Sequence, residues 1–167
     1  MKNNKGFSLV ELIIVIAIMA ILVGVMAPQL IKYIEKTNVS ADTQLADSVR
    51  TALTTACMDP AVIKADSTVV SNITTASSWT DVNGNIGTDY TDGTKVAGAV
   101  TEILGFQPTD TNFRAKFKSS PAKTKGVVQY KADGNNICVA IKDSDITGKK
   151  TSTPASTAYI VVGTDAY

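Results

Sequence analysis

The stretch Leu12-Ile13-Ile14-Val15-Ile16-Ala17-Ile18-Met19-Ala20-Ile21-Leu22-Val23-Gly24-Val25-Met26-Ala27 is apolar or glycine at every position, and it organises the chain of 167 residues around it. Phe7 to Val10 extend the run upstream, so residues 7–27 carry a single charge, Glu11. A helix over these residues would be about 31 Å long, which matches the roughly 30 Å hydrocarbon thickness of a bilayer. The six residues before it, Met1 to Gly6, are polar and basic, with Lys2 and Lys5 and no acid. That flank predicts a cytoplasmic N-terminus and places everything after Lys32 beyond the membrane. A secretory signal would have a shorter apolar core followed by a small-residue cleavage site, whereas Met26-Ala27-Pro28-Gln29 leads straight into a helical pattern. A plain anchor leaves Glu11 unexplained, because an acid inside an apolar span costs on the order of 2.5–3.5 kcal/mol.

Beyond Pro28 the apolar positions Leu30, Ile34, Ala41, Leu45, Val49, Ala52, Leu53 and Ala56 recur mostly three, four or seven apart. This spacing predicts an amphipathic helix over residues 30–57, with Lys32, Glu35, Lys36, Asp42, Asp47 and Arg50 on its outer surface. Met58-Asp59-Pro60 ends it, since proline pushes its predecessor out of the α region. Pro28 lies within the long helix, where its ring presses on the carbonyl of Gly24 and deprives it of a donor. Gly24 and Pro28 are therefore the expected hinge.

The sequence Lys5-Gly6-Phe7-Ser8-Leu9-Val10-Glu11 resembles the cleavage and methylation signature of type IV pilins and related pseudopilins. The resemblance is specific over residues 5–31 and vague beyond them. It implies that residues 1–6 form a leader, that a prepilin peptidase cuts between Gly6 and Phe7, and that the new amino terminus on Phe7 is methylated. It further implies that Glu11 pairs with the terminal amine of a neighbouring subunit, and that the segment around Pro28 unwinds in the filament. Physical chemistry agrees on the pairing: a carboxylate and an ammonium are each costly in a low dielectric and far less so together. The implied partners are other copies of the chain in a helical homopolymer, membrane lipid before assembly, the prepilin peptidase and assembly machinery, and a host or abiotic surface. The implied locations are the plasma membrane for the single-span precursor and the cell exterior for the filament.

From residue 58 onward the composition shifts to Thr, Ser, Asn, Asp and Gly; the chain has 21 Thr and 12 Ser, nearly all beyond residue 36. Residues 58–112 read as a variable loop region, with a helical turn at Asp59 to Lys64 and a helix through Val96, Val100, Ile103 and Leu104 stopped by Gly105. Residues 113–167 read as an antiparallel sheet. Gly126–Lys131 and Asn136–Lys142 flank a turn to make a hairpin, and Ala158–Gly163 supplies a third strand. A fourth strand could run through Phe113, Ala115 and Phe117, although the two phenylalanines are also one helical turn apart. The predicted fold is α+β: a long N-terminal helix packed on a three- to four-stranded antiparallel sheet through Ile137, Val139 and Ile141, as expected of pilins. Residues 30–167 would then form an extracellular head carried by the assembly helix of residues 7–29.

Four further patterns bear on function. Asp81, Asn83, Asn85, Asp89 and Asp92 occupy positions 1, 3, 5, 9 and 12 of a calcium-loop template, but Ile86 stands where the template needs glycine, so a polar Asn-Gly turn is expected instead. Arg114, Lys116, Lys118, Lys123 and Lys125 follow one another without an acid; a solvated face or a subunit contact fits this run better than DNA. Cys57 and Cys138 are an even pair in an exported domain, which invites a disulfide. Yet Cys138 should point away from the helix-facing side of its strand, which favours two separate thiols. The triplets Asn38-Val39-Ser40 and Asn72-Ile73-Thr74 match the glycosylation acceptor, but such triplets are unremarkable in a chain this rich in Ser and Thr.

The charges nearly cancel, at 16 Lys and Arg against 15 Asp and Glu, and histidine is absent. No catalytic constellation, metal set or cofactor motif is expected. The reading is a filament subunit, most simply a major pilin serving adhesion, motility or surface attachment. A pseudopilin of a secretion or DNA-uptake machine is the alternative within the family, and a monomeric membrane-tethered adhesin the alternative outside it.

Overall fold

The computed structural model describes residues 8–143 and 158–163, and the chain divides into two units, residues 1–37 and 38–167. Helix α1, Leu9–Met58, is 50 residues long and contributes to both. In the first unit it is helical throughout, Pro28 included.

In the second unit the buried face of α1 comprises Asp42, Ala46, Val49, Ala52, Leu53, Ala56 and Cys57, the three- and four-residue spacing of an amphipathic helix. The expected stripe thus acquires its core role only from about residue 42: Leu30 and Ile34 are exposed. Asp42, expected on the outer surface, is buried.

The segment expected as loops, residues 58–112, is largely structured. Helix α2, Pro60–Ala65, starts where the Asp59 side chain accepts from the Ala61 N–H at 2.8 Å and Pro60 occupies a position that needs no donor. Helix α3, Ser67–Thr74, buries Ile73. Strand β1, Thr80–Asp81, leads into the short turn α4, Val82–Asn85, where Gly84 takes a left-handed φ of 79°. Helix α5, Val96–Leu104, ends at left-handed Gly105, φ 73°, as the sequence predicts. The Ser/Thr-rich composition hid α3, because Val69, Val70 and Ile73 are its only apolar residues beneath a polar surface.

Phe113 lies in a helix and Phe117 caps its C-terminal end with extended backbone, so the segment is not a strand. Helix α6, Asp110–Lys116, begins with Thr109 accepting from Asn112 N–H and ends at Phe117. Both rings are fully buried and stack at 6.4 Å, one turn apart. Helix α7, Ser120–Lys125, follows, so the sheet starts only at Gly126.

The sheet has four antiparallel strands in the order β1-β2-β3-β4, with β2 Gly126–Asp133, β3 Asn136–Asp143 and β4 Ala158–Val162. The β2–β3 hairpin closes on Gly134-Asn135 with Asp133 opposite Asn136, and Gly134 has the positive φ, 58°, that such a turn requires. Val128, Tyr130, Val139, Ile141, Ile160 and Val162 join the residues of α1 in one core, the helix-on-sheet packing expected. The fourth strand is β1 rather than the Phe113–Phe117 segment.

Candidate functional site

The N-terminal unit is where chemistry and exposure coincide. From Leu9 to Ile34 its large apolar side chains lie open: Leu12, Ile18 and Met26 are 61%, 53% and 64% exposed. Among the described residues this helix is long and apolar enough to cross a membrane.

At its start the structure adds a device that the sequence reading missed. The Glu11 carboxylate accepts the Ser8 backbone N–H at 2.9 Å, and Ser8 Oγ accepts the Val10 N–H at 3.4 Å. Ser8-Leu9-Val10-Glu11 is thus a capping box, serine at the cap and glutamate three residues on. It satisfies two of the four N–H groups that a helix start leaves open. The signal was present as Ser-x-x-Glu before an apolar run. Glu11 therefore serves its own helix here, with its carboxylate exposed at the head of the apolar cylinder. Gly6 and Phe7, the expected cleavage and methylation residues, lie outside the described residues.

Gly24 and Pro28 sit on the exposed helix with open space around Gly24. Val23, Met26, Ala27, Leu30 and Tyr33 line a shallow apolar hollow beside them.

In the second unit, Asp42 is the residue that composition could not find. It is 1% exposed and accepts the Lys118 N–H at 2.6 Å, the Ser119 N–H at 2.9 Å and the Ser119 hydroxyl. It thereby ties α1 to the α6–α7 junction, 76 residues away in sequence. A buried carboxylate is tolerable with such a complete donor set. Arg50 adds a second tie, its Nε donating to the Ile137 carbonyl at 3.0 Å.

The other predicted residues are not gathered into a site. Asp81 accepts from Gln129 Nε2 at 2.6 Å, while Asn83 and Asn85 belong to α4. Asp89 and Asp92 each close a separate turn, on Thr91 and on Thr94. Among the described residues no three His, Cys, Asp or Glu side chains converge on a metal position.

Cys57 and Cys138 are both buried and unbridged. Cys57 lines a cleft with Thr54, Ala132 and Ile137, while Cys138 packs against Gly163, where an added Cβ would come within 3.0 Å of Sγ. The alternation of β3 thus directs Cys138 away from Ile137 and the helix, as the strand periodicity predicts. Burial pushes the Cys57 thiol up to about 11. The Asn38 and Asn72 triplets fall within α1 and α3.

A model of the prokaryotic N-terminal methylation motif matches residues 1–27. The chain is also 44% identical over 55 residues to the fimbrial protein of Moraxella nonliquefaciens, a match covering 33% of this chain. It thereby spans about a third of that relative's length, 36%. No solved structure matches. With the motif at its N-terminus, an exposed apolar helix behind it and a helix-on-sheet head, the chain is type IV pilin-like.

Proposed function

We propose that this chain is a structural subunit of an extracellular type IV pilus, stored in the membrane as a precursor and polymerised through the exposed half of α1. The observation that carries the reading is the unit of residues 1–37: a helix with nearly every large apolar side chain open and one acid at its start. Such a surface needs lipid or other copies of itself to cover it. Passage from lipid into a bundle of identical helices changes solvation little, so packing and the placement of Glu11 can decide the register. The capping box supports this reading, because a helix start with two of its open N–H groups already satisfied is less costly to dehydrate.

The finer steps follow the family resemblance. Cleavage between Gly6 and Phe7 and methylation of Phe7 would generate the assembling form, with Glu11 positioned one turn from the new amine. Pro28 leaves the Gly24 carbonyl without its helical donor, making this the segment of α1 that would yield first during assembly. The role is mechanical rather than catalytic, and an abundant subunit supporting adhesion or surface motility is the form proposed.

Intact mass spectrometry on filaments sheared from source cells tests the reading. The expected mass is that of residues 7–167 plus one methyl group. A sheared fraction lacking the protein, with only the uncut chain in the membrane, would sink it in favour of a tethered monomer.

A further inference from the structure

The head carries two surfaces of opposite charge, one basic and one acidic. The first lies on α6, α7 and their junction, where no acid occurs from Thr111 to Ala132. Buried Phe113, Phe117 and Ala122 pin this segment to the core. Arg114 Nε donates to the Gly126 carbonyl at 3.1 Å, Lys116 Nζ lies 5.5 Å over the Phe106 ring, and Lys118 gives only its backbone N–H to Asp42. The side chains of Lys116, Lys118 and Lys123 are exposed. Among the described residues, none of these three ammonium groups lies within ion-pair distance of an acid.

The second surface surrounds the turn at Asp89 to Lys95. Asp92 sits directly against α5: a Cβ on Gly98 would be 2.0 Å from the Asp92 carbonyl oxygen. Glu102 stands beside the same turn, its Oε2 3.2 Å from where a Cβ on Gly93 would be. Asp89, Asp92 and Glu102 thus form one acidic surface. The neighbouring Lys95 donates to the Ala65 carbonyl at 3.0 Å and its charge also acts on Asp92, leaving Asp89 and Glu102 as the acids of this surface with no ion pair among the described residues. Hydrogen bonds from Thr91 to Asp89 and from Thr94 to Asp92 hold both carboxyls below the usual range, so they stay charged in mildly acidic surroundings.

We propose that the basic α6–α7 face of one copy docks on the Asp89, Asp92 and Glu102 surface of a second copy of this chain. The complementarity is internal to one sequence, with two preformed patches of opposite sign and a nearly neutral total charge. A nucleic acid would use only the basic patch and be repelled by the acidic one. A contact between two different patches on identical subunits is heterologous, and its repetition gives a ring or an open helix. Exposed ion pairs are individually weak, so the contact sets register and encounter rate rather than cohesion. In that sense the proposal deepens the filament reading, in which the apolar helices supply cohesion.

The test uses two differently tagged copies of the full chain in detergent micelles, one with Lys123→Cys and the other with Glu102→Cys, joined by a short bis-maleimide. The mixed pair should cross-link at about 0.1 M salt at least tenfold above either variant with itself, and the yield should fall towards background near 1 M, where the screening length is about 3 Å. Adding Lys116→Glu to the first copy should lower the yield, and Asp89→Lys in the second should restore it. Circular dichroism on each variant confirms the fold. Absence of a mixed product, or reversal without restoration, overturns the proposal. So does tight binding of a short DNA duplex to the same face, weakened by Lys116→Glu and able to compete with cross-linking. Cross-linking without filaments in the source cells would count against the filament reading alone; filaments without cross-linking would count against this contact alone.

Discussion

The two units of this chain use the same kinds of apolar residue in opposite ways. In residues 1–37, leucine, isoleucine and valine lie on the outside of a helix, with Leu22 55% exposed. In residues 38–167, Leu53 on the same helix is fully buried among residues of the sheet and the shorter helices. The second unit completes its hydrophobic core internally, whereas the first leaves that to its surroundings. The difference teaches that burial follows from what the rest of the chain supplies. An apolar run with no amphipathic stripe has no preferred side to offer a single partner, and so it suits lipid or several identical neighbours.

The sharpest way to break this comparison is to delete the same side chain in each unit. Leu53→Ala should lower the stability of the head by about 2–5 kcal/mol in urea unfolding of the full chain in detergent. Leu22→Ala should leave that transition within about 0.5 kcal/mol. Equal losses would mean that the head depends on the first unit for its fold. Next in size is Asp42→Ala, which strands two backbone N–H groups and the Ser119 hydroxyl. A loss of about 1.5–3 kcal/mol is expected, with faster amide exchange at Lys118 and Ser119. An unchanged midpoint would show that Asp42 is incidental to the α1 to α6–α7 tie.

A smaller, local effect is expected at the helix start. Ser8→Ala should cost about 0.5–1 kcal/mol of local helix stability, seen as faster exchange at the first amides of α1 in micelles while head unfolding stays unchanged. A further effect concerns pH. The Cys57 thiol is raised by burial to about 11 from an ordinary 9.0, so the unfolded chain ionises first. The protonated thiol's contribution is therefore complete below about pH 9 and is lost as pH rises towards 11. Cys57→Ala should make stability fall less steeply with pH over that range in denaturation series. An identical slope would place the titration elsewhere.

The long helix, the α5 stop at Gly105, the β2–β3 hairpin and β4 were legible because local signals coincide there: apolar period, a glycine with positive φ, and alternation. Helix α3 was not, since its few apolar positions sit among Ser and Thr that suit turns, strands and polar helix faces alike. Phe113 and Phe117 satisfied both a strand and a helix pattern; the helix is realised with both rings in the core beside the α1 stripe and Phe106 packed edge-on at 5.6 Å. The capping box at Ser8 and Glu11 was readable from spacing, but the acid's place in an apolar run drew attention to partners beyond the chain.

The amino-acid sequence by itself determined the apolar run, its basic flank, the methylation motif and the presence of one acid at the head of the helix, because these depend on residue type and short spacing alone. Only the tertiary structure decided that Asp42 is a buried tie, that β1 is the fourth strand, and that, among the described residues, Lys116, Lys118 and Lys123 lie beyond ion-pair distance of an acid. Each of those outcomes joins residues tens of positions apart, and such contacts are fixed by how elements pack rather than by any local preference.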